Sequence, residues 1–150
     1  MSTSPSLFER AKAEIIDLHR YFADWYNATD HNQTDFSRFE KVLGEGFRIV
    51  TPDDGRIIER DSIINHVRAN RGCFHGEFVI EIDDVRPGWE AAGIIVVTYV
   101  EAQFRAGAWT RRRSSALFTE SSSMPNGVEW RHLHETWLQA PETKQAQPPK

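Results

Sequence analysis

The feature that most constrains this chain is a change of hydrophobic period at Gly76: upstream, apolar residues recur every three or four positions, and downstream they alternate. From about Leu7 to Asn27 the apolar residues Leu7, Phe8, Ala11, Ile15, Leu18, Phe22, Trp25 and Tyr26 step as one face of a helix, with Glu9, Lys12, Glu14, Asp17 and Arg20 mainly between them. Ser6 followed by Glu9 predicts a capping box. Thr29 to Thr34 is polar and reads as a loop. Asp35 is placed as the N-cap of a short helix carrying Phe36, Phe39, Val42 and Leu43, ended by Gly44 and Gly46. Phe47-Arg48-Ile49-Val50 reads as a short strand, Pro52-Asp53-Asp54-Gly55 as a turn, and Ile57-Ile58 as the returning strand. Asp61 opens a second amphipathic helix on Ile63, Ile64 and Val67, closed at Arg71-Gly72.

After Gly76 the alternation predicts four long strands, at about 77–86, 93–105, 109–120 and 128–139. The breaks at Pro87-Gly88, Ala106-Gly107 and Ser121 to Gly127 are short, so the four are expected to be consecutive antiparallel neighbours. Helices followed by a run of antiparallel strands define an α+β protein in which the helices cover one face of a curved sheet. A length of 150 residues suits one domain, expected to span 7–139 with flexible tails at 1–6 and 141–150. The hydrophobic fraction of 39% supports a packed core rather than disorder. Eighteen basic against 22 acidic residues give a net charge of −4, which argues against a nucleic-acid partner. Strand alternation splits the run Arg111-Arg112-Arg113 across two faces. A single cysteine, Cys73, excludes a disulfide within the chain and a thiolate metal cluster. No apolar run approaches the roughly 20 residues needed to span a bilayer, and no basic-then-apolar leader opens the chain. The expectation is a cytoplasmic protein with no membrane partner.

Pairing Phe104 with Trp109 across Ala106-Gly107 sets a register. Glu101 then falls opposite Arg112, Gln103 opposite Thr110 and Arg105 opposite Ala108, a charged face that reads as outward. The other face carries Val96, Thr98, Val100, Ala102 and Phe104 against Leu117, Ser115, Arg113, Arg111 and Trp109, and reads as inward. On the last strand Glu129, Arg131, Leu133, Glu135 and Trp137 read as outward, and Val128, Trp130, His132, His134 and Thr136 as inward. A bulge or one-residue slip would reverse these faces.

The element order, with Phe47 to Gly55 as early strand and turn, Ile94 to Val100 as a hydrophobic strand and Trp130-Arg131-His132-Leu133-His134-Glu135-Thr136-Trp137 as the terminal strand, resembles the nuclear transport factor 2-like superfamily. Its SnoaL-like and ketosteroid-isomerase-like small proteins are the most similar, and the association domain of calcium/calmodulin-dependent kinase shares the layout. The resemblance implies a conical sheet around a helix-roofed pocket and a homodimer through the outer sheet face. It does not select one activity, because the fold hosts isomerases, dehydratases, cyclases, epoxide hydrolases, transport factors and assembly domains.

On that frame His134 is the candidate acid/base, with His132 beside it on the same strand face; the plainer alternative is a pair of hydrogen-bonded histidines without chemistry. Arg111 and Arg113, if inward, would hold a carboxylate, enolate or phosphate; otherwise they pair with an Asp or Glu, or lie in solvent. Tyr21 and Trp25, on the roofing helix with Tyr26, are candidates to stack on a flat apolar ligand, or are core, and Thr98 is a further lining candidate. A metal could draw on His132, His134 and either His66 or His75, but no HExxH or other established ligand spacing is present, so no metal and no cofactor are expected. Ketosteroid isomerases use a carboxylate base, and the inward faces supply only Asp84 as a carboxylate, with Glu135 outward. The expected function is a pocket for a small, apolar, anionic molecule with isomerase-, dehydratase- or cyclase-like acid/base chemistry. The alternative is a non-catalytic dimeric binding or assembly module.

Overall fold

The structure, a computed structural model, describes residues 4–29 and 35–142. The predicted loop from residue 30 to 34 and the predicted tail from residue 143 onward lie outside the described residues. The helices are α1 (Leu7–Asn27), α2 (Ser37–Val42) and α3 (Arg60–Ala69). The strands are β1 (Arg48–Val50), β2 (Ile57–Glu59), β3 (Val79–Ala91), β4 (Ile94–Arg105), β5 (Ala108–Glu120) and β6 (Val128–Gln139). None of the described helices is long and apolar enough to cross a membrane.

Local chemistry sets the helix starts. Ser6 Oγ accepts from the Glu9 amide at 3.1 Å and Glu9 Oε2 from the Ser6 amide at 3.2 Å, closing the capping box. The N-cap of α2 is Phe36 rather than Asp35; Asp35 lies one residue earlier, where its Oδ1 accepts from the Ser37 amide at 2.9 Å.

The strands form one curved, open sheet in the order β2-β1-β6-β5-β4-β3. β3 to β6 are consecutive antiparallel neighbours, and Phe104↔Trp109, Glu101↔Arg112, Gln103↔Thr110 and Arg105↔Ala108 pair as the turn chemistry predicts. β1 joins β6 in parallel through Ile49↔Leu133 and Val50↔His134, which carries the β1–β2 hairpin round the sheet. Pro87-Gly88 is not a turn. β3 runs through it with local register shifts, and the hairpin turns at Ala92-Gly93 instead, where Gly93 has a φ of +74°. Proline is tolerated there because β3 is an edge strand, whose missing N–H removes no bond that a neighbour needs.

The faces of β4 and β5 are the reverse of those expected. Ile95, Val97, Tyr99 and Glu101 of β4, with Ser114, Ala116 and Phe118 of β5, are buried on the side that α1 covers. The last strand changes sides part-way. Trp130 pairs with Phe118 but His132 with Leu117, leaving Arg131 as an extra residue, a β-bulge. Before it Val128 and Trp130 point inward; after it Leu133 and Glu135 do. The bulge is held by the adjoining chain. The Gly44 amide donates to the Trp130 carbonyl at 2.8 Å, and Arg131 Nη1 donates to the Glu45 carbonyl at 3.0 Å. A Cβ on Gly44 would meet the Arg131 side chain at 3.0 Å and the Trp130 carbonyl oxygen at 3.1 Å, a fit tight enough that these atoms would have to shift.

The core joins Ala11, Ile15 and Leu18 of α1 to Ile95, Val97, Phe118 and Trp130 of the sheet, with Phe118 and Trp130 ring centroids 4.5 Å apart. Full burial stabilises each such side chain by about 1.5–3 kcal/mol. Glu14, on the polar side of the helical pattern, is fully buried. It accepts two bonds from Arg38, at 2.9 and 2.7 Å, one from Asn126 at 3.1 Å and one from the Trp130 indole at 3.0 Å. A charge can sit there because each of its oxygens is satisfied. The cluster ties α1 to α2 and β6.

Candidate functional site

A cavity opens between the concave sheet, α1, α3 and the β1–β2 hairpin. Its inner chamber, about 290 Å³, has an apolar wall of Phe22, Ile49, Ile63, Val67, Phe78 and Leu133. Its wider mouth, about 640 Å³, is rimmed by Arg56, Asn70, Cys73, Arg105 and Trp137. Tyr26, His66, Gln103, Arg112 and Glu135 line both, at the boundary between apolar floor and polar rim. A second concavity of about 610 Å³ lies along Glu45 to Arg48 and Glu59 to Ser62. It carries only surface side chains apart from Phe47, whereas the cone cavity holds several buried titratable groups.

Four of those groups converge on one wall. His19 Nε2 lies 3.0 Å from Glu101 Oε1, and Gln103 Nε2 donates to Glu101 Oε2 at 2.5 Å. Arg112, paired with Glu101 across the β4–β5 ladder, reaches both oxygens of Glu135 from Nη1 at 3.4 Å. Ser114 Oγ reaches Glu135 Oε2 at 3.5 Å. These are long contacts, so Glu135 is loosely held. The Arg112 guanidinium lies 4.7 Å from the Trp137 ring centroid, which keeps it at the chamber side of the mouth. Its Nε is buried and makes no hydrogen bond among the described residues, as is true of the Tyr99 hydroxyl.

The environments of the two carboxyls push them apart. Burial would raise both. For Glu101 the charge and hydrogen bond of His19, with Arg112 and Gln103, outweigh burial and bring it to about 2. For Glu135 burial and the Glu101 charge prevail over Arg112 and His19 and bring it to about 7. Burial would lower His19, but the Glu101 charge and hydrogen bonds to Glu101 and the Ile15 carbonyl raise it. One wall thus presents a fixed anion and a carboxyl that exchanges its proton near neutrality, the separation that acid/base chemistry uses.

No family model matches the chain, and no curated protein matches its sequence. Solved structures do. An NTF-2-like protein of unknown function from Pseudomonas aeruginosa superposes with a TM-score of 0.75 at 24% identity, over 85% of this chain and 98% of that one. The calcium/calmodulin-dependent kinase II hub of S. rosetta gives 0.72 at 12% identity, over 90% and 99%. A provisionally named ketosteroid isomerase from Shewanella frigidimarina gives 0.62 at 10% identity, over 85% and 94%. The chain has the nuclear transport factor 2-like fold.

Within this NTF2-like cone the residues singled out from sequence lie elsewhere than expected. Thr98, Ser115 and His134 are cross-strand neighbours on the outer face, and Arg111, Arg113 and His132 lie on that face too. None of them lines the cavity. His134 is exposed, and Arg113 bonds Asp84 at 3.3 Å, the ion-pair alternative. Trp25 is core: its indole donates to the Val67 carbonyl at 2.6 Å, and its ring packs against Tyr21 and Phe36 at 5.9 and 4.9 Å. Tyr21 donates to the Asp35 carbonyl at 3.3 Å, outside the chamber. Their neighbours on α1, Phe22 and Tyr26, line it instead. Glu101, Arg112 and Glu135 were missed because charged residues in a strand read as solvent-facing, and His19 because a lone histidine on a helix carries no local signal of its partner 82 positions away. Leu133 and Trp137, on the parity of Glu135, were the available signal that this side turns inward.

Proposed function

We propose that the NTF2-like cone binds a small, largely apolar molecule bearing an anionic or enolisable group, and that Glu135 exchanges a proton with it in isomerase-, dehydratase- or cyclase-like chemistry. The observation that carries this reading is a buried carboxyl at about 7, set between an apolar chamber and a cationic rim. A general acid or base is most effective when its proton affinity matches the working pH. Arg112 stands beside Glu135 where it would steady an enolate or carboxylate, with Arg56 and Arg105 farther out at the mouth. Likeness to a provisionally named ketosteroid isomerase agrees with carboxyl-based proton transfer, but fold alone does not choose a reaction. The chemistry calls on no cofactor.

The test is a thermal-shift screen against aromatic and polycyclic carboxylates, steroids, terpenoids and polyketide-like compounds. A ligand at about 100 times its Kd stabilises the fold by about 2.7 kcal/mol. Hits are then assayed for exchange of their acidic C–H with deuterated solvent. Glu135→Gln is expected to bind them and to lose exchange by about a hundredfold or more. Equal exchange by the variant would remove Glu135 from the chemistry.

The second reading, a dimeric binding or assembly module, is favoured by the outer sheet face. Val79, Phe104 and Trp109 make an apolar strip there, with Val79 and Trp109 exposed. Glu81 and Asp83 of β3 form an acidic stripe opposite the basic Arg111 and Arg113 of β5, with His132 and His134 beyond. A two-fold axis through this face would lay the acidic stripe of one copy on the basic stripe of the other. Likeness to the kinase hub and to a kinase association domain agrees with association between copies. A monomer by sedimentation at micromolar concentration would count against it.

A further inference from the structure

Both ring nitrogens of His19 face oxygen acceptors. Nδ1 lies 2.6 Å from the Ile15 carbonyl oxygen and Nε2 3.0 Å from Glu101 Oε1. Beside an ionised Glu101, a neutral imidazole has one N–H to give, which would leave two lone pairs opposed at hydrogen-bond distance in a buried site. The imidazolium satisfies both. Glu101 is held as an acceptor in turn, by His19 on one oxygen and Gln103 on the other. A proton on Oε2 would crowd the Gln103 amide, and a proton on Oε1 would be the one His19 Nε2 already shares with it, which Arg112, paired across the ladder, favours leaving on the imidazole.

Glu135 differs. Its contacts with Arg112 and Ser114, at 3.4 and 3.5 Å, are long enough to leave it free to take up a proton. The charged and titratable groups around it are Glu101 and Tyr99 from β4, Arg112 from β5, His19 and Tyr26 from α1 and His66 from α3, with Asp53, Arg56, Cys73 and Arg105 at the rim.

We propose that His19 is a positioning residue: held as the imidazolium, it locks Glu101 as a permanent anion, so that of the two buried carboxyls on the chamber wall only Glu135 carries the exchangeable proton of the site. This rests on the reading of Glu135 as the acid/base group and adds what keeps the second carboxyl from competing for its proton. The pocket histidine itself moves no proton.

The test is an NMR titration of the full chain without ligand, following ¹⁵N of the imidazoles and ¹³C of the glutamate carboxyls. In the wild type, His19 is expected to show both nitrogens protonated between about pH 6 and 8, where an ordinary histidine loses its proton. Glu101 stays ionised across that range and Glu135 titrates at about 7. In His19→Gln the Glu101 carboxyl loses its cation, and its proton affinity is expected to rise by about tenfold or more. A neutral His19 in the wild type, with Glu135 still titrating near 7, overturns this inference and leaves the acid/base reading intact. Glu135 titrating in the ordinary carboxylate range overturns both. A folded His19→Gln with Glu101 unmoved overturns the inference as well; should the variant not fold, the wild-type imidazole signals decide alone.

Discussion

Replacing Glu135 by glutamine is expected to stabilise the protein above neutral pH and to leave it unchanged in mild acid. The folded-state value for this carboxyl, about 7, stands above its ordinary value of 4.5. Below about pH 4.5 the group is protonated in both folded and unfolded chains and contributes no pH dependence. As the pH rises towards 7 the unfolded chain ionises while the folded one holds its proton, and stability is lost until the folded carboxyl also ionises. At about 1.4 kcal/mol for each tenfold difference in proton affinity, the full loss is about 3 kcal/mol. The group is 8% exposed, so solvent screens little of this. Glutamine is neutral at every pH and close in shape to the protonated acid. Urea unfolding at a series of pH values should therefore give midpoints that coincide near about pH 4.5 and diverge by about 1.5 M at pH 8, for an m-value of roughly 2 kcal/mol/M. A variant that is less stable than the wild type at pH 8, or a difference that does not vary with pH, would refute the reasoning. Either result would mean that Arg112 holds Glu135 ionised in the native state.

Glu14→Ala should cost about 3–5 kcal/mol in the same unfolding assay, because Arg38, Asn126 and the Trp130 indole are left without their acceptor. His134→Ala should change stability by no more than about 0.5 kcal/mol and leave ligand shifts intact, since the side chain is exposed on the outer face. Deleting Arg131 removes the extra residue and lets Trp130, His132 and Leu133 alternate regularly opposite Phe118, Leu117 and Ala116, so that Leu133 and Glu135 stay on the inner face. A native-like near-ultraviolet circular dichroism spectrum is the expected outcome, with stability lowered by the missing Arg131 bonds to Thr119 and the Glu45 carbonyl, and loss of that spectrum would refute the register read across the bulge.

Periodicity and turn chemistry determined much of this protein directly. The capping box at Ser6 and Glu9, the amphipathic faces of α1 and α3, the Pro52–Gly55 turn and the Phe104↔Trp109 register all follow from residues within a few positions of one another. The succession of β3 to β6 follows from short connections. Which side of the sheet faces the helices does not. Strand alternation separates two faces without labelling them, and the inward face of β4 and β5 ends in Glu101, Gln103, Arg105 and Arg112, residues that read as solvated. Their location became visible only once α1 and α3 closed over the sheet, leaving a cavity that keeps those charges at its boundary. The last strand needed the tertiary structure most. The extra residue at Arg131 is stabilised by the Gly44–Glu45 segment, more than 80 positions away, and it exchanges His134 for Glu135 at the chamber wall. Local pattern determined the elements and their pairing, while the packing of distant segments decided which titratable group the cone encloses.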